Sequence, residues 1–284
     1  MTKIPTFENR KDLFEYLFKN KNLIIAEKKS EFKKCDEIDY LPELSSVKIT
    51  KNESKQDTDD VIYRRLIINT TNYMDSHDDA HFPGIWNKSL NENNDRFLLQ
   101  EHEMRFANLI APHELINAYV QTFNWKELGY NVNGTTQALV YEAEIQKKNN
   151  PFMFDKYVNN QVKNHSVGMR YVKMLLAVND EDYKEAYAVW QEYYPLLINK
   201  ERAEKNGHFY PVLEAKEIEG SAVMKGSNPI TPTLNIKNEN NFETTNNALI
   251  ERLKIYEPNF SLENLNDNKQ QEKSDEKRKI YLFY

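Results

Sequence analysis

The chain carries six histidines, His77, His81, His102, His113, His165 and His208, and these are its candidate bases. His102 is singled out by position. It follows the apolar run FLLQE, so its imidazole comes where a strand ends and can face a cleft. Ser166 lies in KNHSVGMRYVK, between a helical stretch and a strand-like one, with Gly168 two residues on. A serine nucleophile needs an exposed hydroxyl, a base within hydrogen-bond reach and backbone N–H groups facing the developing oxyanion. A neighbouring glycine lets backbone and substrate approach closely. The segment is not a GxSxG elbow, because Asn164 stands two residues before the serine. Taken on spacing alone, Ser166 reads first as a helix cap or a turn serine, and His102 as a surface or capped histidine.

EIEGSAVMKGSNPITP (217–232) is the other unusual stretch. Read as a strand with side chains alternating, it puts Glu217 and Glu219 on one face with Leu213 and Ala215. A carboxylate on an apolar face is costly unless paired, and a histidine would pair it. The plain alternative is an edge strand whose glutamates stay in water. DSHDDAH offers His77, Asp78, Asp79 and His81 as weak metal-ligand candidates, but the segment reads as a polar loop before the Pro83-Gly84 turn. No HExxH, Walker A loop or GxGxxG occurs, so neither metal nor nucleotide cofactor is expected.

The elements that must position these residues follow from periodicity. NRKDLFEYLFKN (9–20) spaces its apolar residues as an amphipathic helix, and 50–60 is polar linker. Strands are expected at 61–69, 96–101, 104–111, 114–123, 135–145, 166–179 and 208–223. Helices are expected at 151–164, which opens with Pro151, and at 180–205, interrupted by Pro195. A short helix at 243–256 and a mobile tail complete the reading. The chain has 284 residues and a formal charge of −6, which argues against generic phosphate-backbone binding and so against a nucleic-acid partner. No apolar run reaches the roughly 20 residues that span a bilayer, and no secretory leader is recognisable. The single cysteine, Cys35, excludes an internal disulfide framework, and a reducing cytoplasm is the expected compartment.

Three segments, taken in order, resemble the prohead proteases of tailed phages, capsid-maturation serine proteases related in fold to the herpesvirus assemblin protease. RFLLQEH (96–102), after a polar loop and Pro-Gly-aromatic turn within 67–90, is similar to the family strand ending in the catalytic histidine. NHSVGMR (164–170) resembles its Ser-[Val/Ile]-Gly nucleophile segment, and EGSAVMKGSNPITP (219–232) its Glu-x-Ser-x-Val strand and Asn-Pro turn. The resemblance implies Ser166 as nucleophile, His102 as general base and acid, and Glu219 as the orienting acid. His165 stands before the serine, where the family commonly has a small or polar residue. The third member varies across the superfamily, so Glu217 and His165 stay open for that role. Oxyanion donors would come from backbone near Ser166 or in the 224–228 loop.

The implied fold is α+β, mainly β: a compact herpesvirus-protease-like β-barrel ringed by helices. The protease domain would span 61–235, between a helical and polar extension at 1–60 and a polar tail at 236–284. The implied activity is a serine endopeptidase without cofactor, cleaving scaffold, the capsid-protein extension and itself. It would act inside the prohead, in the host-cell cytoplasm, and the herpesvirus relatives imply a homodimer. Three rivals use the same residues differently: a structural capsid component with an inactive triad, an unrelated serine esterase or amidase, and a non-enzymatic β-sheet binding module.

Overall fold

The computed structural model describes residues 4–31, 57–93 and 95–234. The first of the chain's two units, Met1–Ile236, holds all of these; the second, Lys237–Tyr284, lies outside them, as do the expected helix at 243–256 and the tail. About 31% of the described residues are helix and 36% strand, an α+β fold. No helix among the described residues is long and apolar enough to cross a membrane.

Two sheets form the body. In the first, β1 (Val61–Thr70) pairs antiparallel with β6 (Thr135–Gln146), which pairs with β5 (Ile116–Asn124); β10 (Thr233–Leu234) adds to the other edge of β1. The expected pairing of the 114–123 and 135–145 segments is therefore present. The second sheet is organised on β9 (His208–Val223). On one side β9 pairs antiparallel with β7 (Asn164–Met174). On the other it pairs parallel with β2 (Asp79–His81) and β3 (Leu98–Gln100). β4 (Leu109–Ala111) extends β3, and β8 (Ala177–Val178) pairs with the start of β9. The two sheets do not close on each other, so the expected barrel is absent among the described residues.

The sheets pack face to face. Leu66 and Ile68 of β1, Leu139 and Tyr141 of β6, and Val167 and Met169 of β7 share one apolar cluster. Gly220 marks the closest approach, since a Cβ there would lie 2.7 Å from the Tyr141 ring and 3.1 Å from Ile68. A larger residue would force β9, the strand that the site depends on, away from β6 and β1.

Helices α3 (Asn87–Glu92), α4 (Pro151–Val158), α5 (Lys184–Tyr193) and α6 (Lys200–Asn206) connect the strands. α4 begins where the sequence signals it. Pro151 occupies the first turn, and the Asn150 side chain accepts from the Met153 N–H at 3.0 Å. The N-terminal residues differ from expectation. Besides α1 (Arg10–Lys19) there is a second helix, α2 (Lys21–Ser30), and both pack into the body. Phe14, Leu17 and Ile24 belong to the cluster that holds the sheet core. Arg10 caps the end of α6 by donating to the Glu204 and Lys205 carbonyls. Residues 10–30 are thus part of the body rather than a solvated arm.

A second correction concerns DSHDDAH. Asp79, Ala80 and His81 form a buried strand, not a polar loop. It is tolerated because its polar groups are bonded. Asp79 Oδ1 lies 2.5 Å from Lys28 Nζ, and its Oδ2 accepts from Tyr171 Oη at 3.0 Å. His81 Nδ1 meets the Asn69 amide and its Nε2 meets Tyr171 Oη at 3.3 Å. Among the described residues no group of three His, Cys, Asp or Glu side chains is arranged to hold a metal ion.

These buried groups set a pH dependence of stability. Burial lowers His81 and His165 to about 4, and lowers His208 as well. Their folded values lie below the unfolded value near 6.5, so their stabilisation is present above that pH and lost as pH falls toward 4. Burial, then the charge of Asp79, raises Asp75 to about 8. That folded value lies above the unfolded one, so its contribution is present at low pH and lost as pH rises from about 4 to 8. Between 4 and 6.5 the three histidines outnumber the two raised carboxyls, Asp75 and Glu217, the second also raised by burial; above 6.5 the histidines are silent and only raised carboxyls act. Urea unfolding should therefore give greatest stability near pH 6.5, with Asp75→Asn shrinking the decline on the alkaline side. A decline that survives Asp75→Asn undiminished would assign it to another group.

Candidate active site

The site is built on the last third of β9. β3 runs parallel to it, with Gln100 opposite Ala222, and the Glu101 N–H continues the ladder by donating to Ala222 O at 3.0 Å. The chain then turns sharply. Glu101 (φ 54°) and His102 (φ 58°) are both left-handed, a conformation that costs a non-glycine residue roughly 1–2 kcal/mol. The turn is held by Glu103 N–H to Gln100 O and by His102 N–H to Ser221 Oγ at 3.1 Å. Its effect is to fold the imidazole back over β9. Backbone strain of this kind recurs where a side chain must be aimed.

His102 Nδ1 lies 2.5 Å from Glu219 Oε1, and both side chains are buried. Ser221 donates its hydroxyl to the other oxygen, Oε2, at 2.6 Å. Each Glu219 oxygen therefore has a partner. The carboxylate fixes the tautomer: Nδ1 carries the proton it donates, which leaves a lone pair on Nε2. Nε2 is buried and has no hydrogen-bond partner among the described residues. An imidazole oriented by an acid, with its second nitrogen vacant, has the form of a general base.

Ser166 is the cross-strand neighbour of Ser221. Directly opposed residues of an antiparallel pair point to the same face, with Cα atoms about 4.5–5.5 Å apart. Ser166 therefore shares the face that bears Glu219 and Ser221. Gly168, opposite Glu219, places no side chain there. Ser166 is 9% exposed as a residue and its hydroxyl is unbonded among the described residues, whereas Ser221 is fully buried and bonded on both sides. Of the two serines, Ser166 has the free hydroxyl.

A turn after β9 closes over this face. A Cβ on Gly226 would lie 3.1 Å from His165 O and 3.8 Å from Ser166 Cβ, so the turn backbone rests directly on the serine. Asn228 ties the turn to β1 through Thr70 O and Thr70 Oγ1, both at 3.0 Å. Thr231 ties it to β7, donating to His165 O at 2.5 Å. The backbone N–H groups of Lys225, Gly226 and Ser227 donate to nothing among the described residues. A clamped turn with vacant N–H groups is suited to hold an anion.

The two alternative orienters are placed elsewhere. Between Gly168 and Met169 the register shifts, and successive β7 residues oppose Glu219 and then Glu217. Ile218 is the extra residue of a β-bulge, so the two glutamates leave the strand on opposite faces rather than the same one. Glu217 instead accepts from Tyr141 Oη and pairs with Arg96, whose Nε lies 3.3 Å away. It is fully buried, not a solvated edge residue, and burial raises its carboxyl. His165 alternates with Ser166 and points the other way. Its Nδ1 meets Thr231 O at 3.2 Å and its Nε2 meets Tyr157 Oη at 3.0 Å. Sequence reasoning missed Ser221 as the bridge between Glu219 and the His102 backbone. Its signal was the Glu-x-Ser spacing, which places both on one strand face.

No protein-family model, curated protein or solved structure matches the chain.

Proposed function

We propose that the chain is a serine endopeptidase of the prohead-protease kind, with a core of the herpesvirus-protease type. It would process scaffold, the capsid-protein extension and itself inside the assembling prohead in the host-cell cytoplasm, working as a homodimer. The observation that carries the reading is the buried His102–Glu219 pair with Nε2 vacant, on the face that Ser166 shares. Ser166 Oγ would attack the scissile carbonyl while Nε2 takes its proton. The imidazolium, held by Glu219, would return that proton to the leaving amine, and water would then release the acyl group by the same route. Negative charge on the carbonyl oxygen would be met by the N–H groups of the 225–227 turn.

The test is a fluorophosphonate or peptidyl-phosphonate probe followed by mass spectrometry. The adduct is expected on Ser166. An adduct on Ser221 or Ser227 would overturn the assignment. Folded protein that takes up no probe and never trims its own termini would favour the rival in which this fold serves as a structural capsid component. Hydrolysis of small esters alone would favour the esterase.

A further inference from the structure

The triad does not account for the buried charges beneath β7. Lys28 comes from α2, yet it is 6% exposed. Its ammonium lies 2.5 Å from Asp79 Oδ1, 2.9 Å from His77 O and 4.4 Å from the centre of the Tyr210 ring. Lys28 is the cation bonded to Asp79 among the described residues. From Asp79 the contacts continue to Tyr171 Oη and on to His81. Tyr171 belongs to β7, the strand that carries Ser166. One narrow cavity of about 20 Å³ is lined by Asp75, Asp79 and Tyr171 as well as by Ser166 and Ser227.

The cluster is balanced only with the lysine in place. Burial, then Asp79, raises Asp75 to about 8, so near neutrality Asp75 is protonated and His81 is neutral. Asp79 pairs directly with Lys28, at 2.5 Å and with both side chains buried. Removing one partner of a buried pair leaves an uncompensated charge, which a protein relieves by admitting water or by moving the element that holds it. The element holding Asp79 from the other side is β7.

We propose that Lys28 is a positioning residue, by which the N-terminal helix pair keys into Asp79 and, through Tyr171, fixes the strand bearing Ser166. The part concerning Ser166 rests on the function proposed above; the fixing of β7 does not. The helix pair is then a strap across the body, and withdrawing α2 withdraws the counter-charge of Asp79. Among the described residues the strap is tied to the body by the buried apolar contacts, by the Arg10 bonds to the end of α6, by the Lys21–Glu185 pair and by this buried ion pair.

Hydrogen exchange read by mass spectrometry on the full chain tests this without relying on activity. In Lys28→Met, peptides from 164–174 should exchange about tenfold faster or more, while peptides from 135–146 keep their protection. Adding Asp79→Asn removes the orphaned anion, and the double variant should return β7 to within about threefold of the parent. Phosphonate labelling of Ser166 should slow in the single variant and recover in the double. Unchanged β7 protection in Lys28→Met, equal loss in both strand pairs, or a double variant no better than the single would each overturn the proposal. Should Lys28→Met fail to fold, the double decides: folded and protected supports it, unfolded overturns it. If no serine reacts even in the parent, the functional reading fails and the exchange result still stands.

Discussion

Ser166→Ala and His102→Ala will each abolish cleavage of a scaffold-derived peptide, and by the same factor, on the order of 10⁶ in kcat. The equality is the informative part. A nucleophile without its base and a base without its nucleophile both leave only binding and oxyanion stabilisation, because the triad acts as a unit. The geometry makes the roles separable from those of neighbouring serines. Ser221 touches the same His102–Glu219 pair, but its oxygen already donates to Glu219 and accepts from the His102 backbone N–H. Ser221→Ala should therefore cost less than Ser166→Ala, through a loosened His102–Glu219 pair rather than a lost nucleophile. Circular dichroism and thermal melts would establish that each variant is folded. Should Ser221→Ala prove dead while Ser166→Ala retains activity, the nucleophile is Ser221 and the tautomer argument must be redrawn.

What could be read from the sequence, and what could not, divides along physical lines. β9 was legible from end to end because a long apolar alternation runs between Gly207, left-handed at the end of α6, and the turn after Val223. The places of His102 and Ser166 were legible, a histidine ending an apolar strand and a serine two residues before a glycine, while their roles came from the resemblance alone. α2 was not. Its sequence KNLIIAEKKS carries three lysines and one glutamate, which read as solvated, and hydropathy cannot foresee that Lys28 finds a buried aspartate. β2 failed for the same reason, since DAH is polar by composition and apolar only once its partners are known. The parity of Glu217 and Glu219 failed differently. Alternation is a rule for regular strands, and a single extra residue, Ile218, inverts it with no local signature. A tight turn around Glu103 was legible between the two expected strands, but the left-handed conformation of Glu101 and His102 was not, because the tertiary bonds impose it.

The bulge makes the last expectation sharp. Glu219→Gln should lower kcat by about 10⁴. The Ser221 hydroxyl donates to one carboxylate oxygen, and in the amide it will hold the remaining oxygen on its own side. The amide nitrogen then faces His102 Nδ1 and donates to it. The imidazole must respond by carrying its proton on Nε2, so the nitrogen meant to accept the Ser166 proton is already protonated. Glu217→Gln should behave in the opposite way. Glu217 bonds Tyr141 and Arg96 on the other face, so activity per folded molecule should stay within a few-fold of the parent. Its cost appears in stability, about 3 kcal/mol, because the buried Arg96 loses its counter-charge. Peptide cleavage normalised to the folded fraction, beside urea unfolding of both variants, separates the two. A crippled Glu217→Gln beside a near-normal Glu219→Gln would transfer the orienting role to Glu217. Near-normal activity in both, with Ser166→Ala dead, would reduce the site to a serine–histidine dyad.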